Sequence, residues 1–159
     1  MKIDILAVGK IKERFFADAA DEYIKRLSRY AKLNIIEVKD DKTSEGASDH
    51  ENDLVKLAEA ERLLKYIDDN AVLIALCVEG EEFSSTEFSK VIAGYENTGR
   101  SHIQFVIGGS LGLAYEIKAK ADLKLSFSRM TFPHQLMRVI LLEQIYRAYR
   151  IKTGEPYHK

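Results

Sequence analysis

Short apolar runs recur along the chain, alternating with longer stretches in which apolar positions return every three or four residues. Lys2–Gly9, Leu33–Val38, Ala71–Val78, Ile103–Ile107 and Leu123–Phe127 have the length and aliphatic content of strands. The third is apolar throughout, as a strand covered on both sheet faces requires. Between them, Glu13–Tyr30, Glu51–Ile67 and Ser84–Tyr95 carry the spacing of amphipathic helices, and Ser84 or Ser85 followed by Glu87 supplies an N-cap for the last of these. A final helix starts at Pro133, suited to a first helical position, and ends at Gly154 with Pro156 beyond. Alternation of strand and helix over the whole length predicts one α/β domain, 1–159, with a mostly parallel sheet and helices on both faces. The polar stretch Asp40–His50 reads as a mobile loop, and there is no internal repeat.

The final helix is apolar over more than half its circumference, with Leu136, Met137, Val139 and Ile140 adding to a stripe that continues through Tyr149. A helix lying on one sheet face needs a narrower stripe. A second copy of the chain is the economical cover, which predicts a homodimer. Glu143, Arg147 and Arg150 form one narrow polar strip at helical spacing.

Composition narrows the function classes. The chain has 159 residues, 46% hydrophobic and 31% charged, with a formal net charge of −1. One cysteine, Cys77, excludes an internal disulfide framework and a multi-cysteine zinc site. The first apolar run is interrupted by Asp4 and is too short to span a membrane, so a soluble cytoplasmic protein is expected. Charge is unevenly spread: residues 129–159 hold six basic side chains against two acidic ones, leaving the other 128 residues at −5. A basic end of this kind suits a polyanion, and equally suits a helix C-terminus.

Three segments could carry chemistry. The first is IGGSLG, Ile107–Gly112, directly after a strand, where glycines allow tight turning and close approach of a ligand to the backbone. It is neither a dinucleotide fingerprint nor a P-loop, and a plain tight turn is the competing explanation. The second is SFSRMTFPHQLMR, Ser126–Arg138, a strand, loop and helix start of the type that presents groups at the carboxyl ends of strands. Within it Phe132 suits a core anchor, and His134, lacking a ligand cluster, suits a structural or hydrogen-bonding role. The third is the tail, Gly154–Lys159, where Tyr157, His158 and Lys159 combine stacking, proton handling and phosphate pairing. Cys77 inside an apolar run suits an inert core position, and no GxSxG supports serine hydrolysis. No residue set for a metal is evident. A phosphate-binding flavodoxin-like or nucleotide-binding module and a non-enzymatic assembly factor both remain open on these features.

The ordered patterns KIxILAVGK, FVIGGSxGL, LSFSxMTFPHQ, RVxLxEQxYRA and PYHK resemble, end to end, the small bacterial RlmH family of SPOUT-class methyltransferases. That resemblance implies an α/β fold with a C-terminal trefoil knot, S-adenosylmethionine as methyl donor and a homodimer. It implies methylation at N3 of a pseudouridine in helix 69 of 23S ribosomal RNA, on the assembled 70S ribosome. Carried over by motif, the donor pocket comprises Leu76, Gly108 and the segment Phe127, Ser128, Arg129, Met130, Thr131 and Phe132. For that reaction His158 is expected to accept the N3 proton or hydrogen-bond the base, Tyr157 to stack on or orient it, Arg147 to stabilise developing negative charge or hold phosphate, and Glu143 to orient Arg147. Lys159 would meet phosphate.

Overall fold

The computed structural model describes residues 1–157. Five strands, β1 (Lys2–Val8), β2 (Lys32–Val38), β3 (Val72–Glu82), β4 (His102–Ile107) and β5 (Leu123–Ser126), form one sheet in the order β2-β1-β4-β3-β5. Every pairing is parallel. Five helices connect and close it: α1 (Arg14–Leu27), α2 (Asp49–Leu64), α3 (Ser85–Asn97), α4 (Tyr115–Lys120) and α5 (His134–Lys152). Alternation along β1 sends Ile3, Ile5 and Ala7 to a core shared with α1, α3 and α5. Leu6 and Val8 go to a second core shared with α2 and α4. The parallel sheet with helices on both faces therefore stands as expected.

One element is added and one expectation shifts. The short α4 lies where the sequence pattern assigns no element, six residues being too few to show a period. Pro133 caps α5 from outside instead of opening it, its ψ of 135° being extended. The capping box of α3 is present: Ser84 Oγ accepts from the Glu87 amide at 3.2 Å, and Glu87 Oε2 accepts from the Ser84 amide at 2.7 Å.

α5 lies between α1 and α3, which cover part of the apolar circumference that the sequence left for a partner. Its start is tied to the carboxyl ends of β1 and β2. Arg138, only 2% exposed, donates to the Gly9 carbonyl at 3.0 Å and pairs with Glu37 at 2.5 Å. Counted in sequence as part of the basic end, Arg138 is an interior strut and adds no surface charge. Gln135 Oε1 accepts from the Lys12 and Glu13 amides at 2.8 and 3.3 Å, supplying from α5 the cap that α1 lacks in its own side chains.

At the opposite end of the sheet a polar row crosses three strands. Asn34, Asp4 and Gln104 are in register on β2, β1 and β4. Asp4, 3% exposed, accepts from Asn34 at 2.8 Å and Gln104 at 3.1 Å and faces His102 Nε2 at 2.6 Å. A one-residue slip would strand this carboxylate, so the row helps to fix register. Burial alone would raise the Asp4 pKa; the bonds from Asn34, His102 and Gln104 outweigh it and hold the carboxyl below its usual value of 3.8. A depressed folded pKa contributes stability that is present above the ordinary value and disappears as pH falls through the folded one. Asp4→Asn is expected to lose about 1–3 kcal/mol at pH 7. It should also show a smaller stability drop than wild type as the pH goes from roughly 5 to 3, read by urea unfolding at each pH.

Candidate functional site

β3 runs further than its apolar stretch suggests. It pairs with β5 through Leu76↔Leu125, slips, and pairs again through Glu81↔Leu125, so residues 77–80 bulge out of the ladder. Gly80 makes the return possible: a Cβ there would lie 2.7 Å from the Lys124 carbonyl carbon and oxygen. Across the cavity mouth, the turn after β4 closes on itself. A Cβ on Gly108 would stand 2.5 Å from the carbonyl carbon of Gly112, whose φ of +83° keeps it in the left-handed region.

Between these two approaches lies a cavity of about 530 Å³ at the carboxyl ends of β3, β4 and β5. Leu76, Gly108, Phe127, Ser128, Met130, Thr131 and Phe132 all line it. Segments separated by tens of residues thus meet where an open α/β sheet binds ligands. Arg129, exposed, lies outside the lining. Phe132 is half-buried on the wall, so its core-anchor reading gives way to a position between core and cavity. Met130 is 73% exposed at the mouth, an apolar side chain with little to cover it.

The sequence reading missed several wall residues. Cys77 is half-buried against the cavity and not a core residue, because the bulge turns the end of β3 out of the sheet. Burial and the neighbouring Glu79 raise its thiol pKa, which keeps it protonated at neutral pH. Glu79 and Lys118 pair at the rim, and the bond from Lys118 lowers the Glu79 pKa. Glu59, 4% exposed on α2, lies where a Cβ on Gly109 would be 3.4 Å from its carboxylate, and it accepts from the Asp41 amide at 3.1 Å. Burial raises its pKa despite that bond. The 40–50 segment expected to be mobile is thereby pinned at Asp41, which Arg62 also holds at 3.0 Å. His134 lines the cavity, and burial followed by the nearby Arg138 pushes its imidazole below the ordinary value.

The second constellation sits on the outer part of α5. Arg147 donates to Glu143 Oε1 from Nη2 at 2.6 Å and from Nε at 3.0 Å. The Tyr157 hydroxyl donates to the same oxygen at 3.1 Å, and the Arg147 guanidinium stands 4.6 Å over the Tyr157 ring. Hydrogen bonding to Glu143 raises the Arg147 pKa further. Burial first, then bonds to Tyr23 and Glu143, push the Tyr157 phenol up to about 12. The tail reaches this place through a helix stop at Gly154, φ +70°, where Glu155 N donates to the Arg150 carbonyl at 2.9 Å. Glu155 then accepts from Tyr30 at 2.8 Å and pairs with Arg150. His158 and Lys159 lie outside the described residues.

The two constellations do not meet within one chain. Met137 lines the cavity, whereas Glu143, Arg147 and Tyr157 do not. Arg147 stands about 15 Å further along the helix axis. Among the described residues, no group of three or more His, Cys, Asp or Glu side chains could hold a metal ion. No described helix is long and apolar enough to cross a membrane.

Comparison with known proteins bears on the family and the fold. Residues 1–158 match a family described as "Predicted SPOUT methyltransferase". A protein of Clostridium kluyveri named ribosomal RNA large subunit methyltransferase H is 56% identical over 159 residues, all of both chains. Proteins of the same name from Bifidobacterium animalis and Clostridium botulinum are each 57% identical over the full length of both. The solved structure of a probable methylase family protein from Haemophilus influenzae has a similar fold. It aligns with a TM-score of 0.57 at 14% identity, over 99% of this chain and 70% of that one.

The backbone approaches are directly testable. Gly80→Ala and Gly108→Ala should each destabilise by about 1–3 kcal/mol through overpacking. Gly94→Ala, in α3 with nothing within 4 Å of the new methyl, should stabilise by roughly 0.5–1 kcal/mol. Denaturant unfolding of the three variants reads the contrast, and a Gly108→Ala protein as stable as wild type would contradict the tight turn.

Proposed function

The chain belongs to the SPOUT methyltransferase family, in its RlmH branch, and from that premise we propose that it transfers a methyl group from S-adenosylmethionine to N3 of a pseudouridine in large-subunit ribosomal RNA. The target is in helix 69 of the 23S molecule, and the working substrate is the assembled 70S ribosome in the cytoplasm. The observation that carries this reading is the cavity built jointly by Leu76, Gly108 and the 127–132 segment. Its wall suits the donor. Leu76 and Phe127 offer apolar faces to a planar adenine, while the backbone of the 108–112 turn and of 127–132 can read polar edges. The Glu79–Lys118 pair at the rim offers a carboxylate and an ammonium to the polar ends of a ligand. When bound, the donor supplies an electrophilic methyl on a positively charged sulfur.

The protein's tasks are alignment and removal of the N3 proton. A uracil-type N3–H titrates roughly two units above neutral, so about 3 kcal/mol of assistance is needed. In this reading His158 accepts the proton or bonds the base, and Tyr157 orients the ring. Arg147 faces the negative charge developing on the base oxygens, and Glu143 positions Arg147. Lys159 meets phosphate. Because the donor cavity and the Glu143–Arg147–Tyr157 group are apart in one chain, a homodimer seamed along α5 brings the tail of one copy to the cavity of the other. The half-buried Leu136, Met137, Val139 and Ile140 supply apolar surface for that seam. The C-terminal trefoil knot implied by the resemblance belongs to the same proposal.

Tritiated methyl transfer to ribosomes isolated from cells lacking this enzyme is the decisive assay. Wild type should label the ribosomal RNA, and His158→Ala should lose most turnover; an unchanged His158→Ala rate removes that residue from the mechanism. Calorimetry should show S-adenosylmethionine binding but neither ATP nor FMN, whereas binding of FMN or ATP would favour the flavodoxin-like alternative. Ribosome binding with no label transferred would favour the assembly factor. With its pKa raised to about 12, Tyr157 keeps its proton between pH 6 and 10. Tyr157→Phe should therefore lower kcat without moving the alkaline limb of the pH–rate profile.

A further inference from the structure

The outer face of α2 carries a seam that neither the cavity nor the tail uses. Leu54, Leu57 and Leu64 are 53%, 39% and 37% exposed, and Tyr66 just beyond the helix is 49% exposed. With the exposed Glu61 they follow a three-four-three spacing, the narrow stripe by which one helix packs on another. The opposite side of α2, through Glu59, Ala60 and Leu63, already faces inward, so the seam is surplus to the fold.

Charge identifies what fits there. Residues 40–69, comprising α2 and its flanks, hold ten acidic and four basic side chains, a net of −6. The remaining 129 residues hold twenty basic and fifteen acidic, a net of +5. The acidity of the chain is thus concentrated around one helix, on the sheet face opposite α5 and its arginines. An RNA phosphate approaching α2 would meet like charge. Glu61 within the leucine seam calls for a cation opposite it, and the leucines call for apolar anchors.

We infer that the α2 face docks a basic, amphipathic protein helix belonging to the ribosome, so that the enzyme grips its substrate particle by protein on one side and RNA on the other. This rests on the reading that ribosomes are the substrate. Proteins that coat RNA are cationic of necessity, so the particle offers the required chemistry. The contact supplies affinity that is independent of the nucleotide being modified.

Ribosomes from cells lacking the enzyme serve as the probe. In Leu57→Lys/Leu64→Lys and in Glu61→Lys, KM for ribosomes should rise about tenfold or more, with kcat, S-adenosylmethionine affinity and melting temperature unchanged. A benzophenone side chain placed at position 57 should crosslink to a ribosomal protein. An unchanged KM overturns the inference, as does crosslinking to ribosomal RNA or to a second copy of the chain. Crosslinking is read without turnover: a ribosomal protein labelled by a wild-type-like enzyme that transfers no methyl would refute the methyl-transfer reading and leave the docking face standing.

Discussion

The cavity depends on two places where backbone touches backbone. Gly80 lets β3 rejoin β5 after its bulge, and Gly108 lets the turn after β4 fold onto Gly112. Any side chain at either position would collide with main-chain atoms, which cannot rotate away as a flexible side chain can. Between the two contacts the sheet parts, and strand ends and turns form the frame of the opening, with Met130, Met137 and Lys118 among the side chains on its wall. A frame of that construction holds its backbone amides and carbonyls in place before any ligand arrives.

α5 joins this rigid end to the rest of the molecule. Its first turns reach β1 and β2 through Arg138 and cap α1 through Gln135. Its outer turns hold Glu143 and Arg147 against Tyr157. One helix therefore sets both constellations while keeping them apart by its own rise. Among the described residues, that separation follows from helix geometry. On the same helix Leu136, Met137, Val139 and Ile140 stay half-buried beside α1 and α3.

Strands and most helices were legible because their apolar periods are long and regular. The parts that escaped were those where periodicity carries no information. The end of β3, Glu79 to Glu82, is polar, and only Glu81 and Glu82 rejoin β5 after the bulge, so an apolar run cannot mark its limit. Cys77 followed β3 into the wrong compartment for that reason. Arg138 looked like one more surface cation; only the tertiary placement of Gly9 and Glu37 makes it a strut. Glu59 reads as a solvated helix residue until the 109 turn is seen beside it. The pocket segments themselves were recognised through motif resemblance, and the physical reason they belong together, parallel strands ending side by side, appears only once the strand order is known.

The tail shows how order already present in the fold can serve chemistry. Chain ends ordinarily fray, and recruiting a mobile terminus to a reaction charges its ordering entropy to every encounter. Here Gly154 turns the chain back, Arg150 and Tyr30 hold Glu155, and Glu143 receives the Tyr157 hydroxyl. Those contacts form when the protein folds, so the cost of positioning Tyr157 is met before any substrate is present. Glu143 is shared between Arg147 and Tyr157, so the carboxylate that pairs with the guanidinium also steadies the aromatic ring. Orientation and electrostatics at this end of α5 are therefore coupled through a single oxygen atom, Glu143 Oε1, and a change to either partner must be felt by the other.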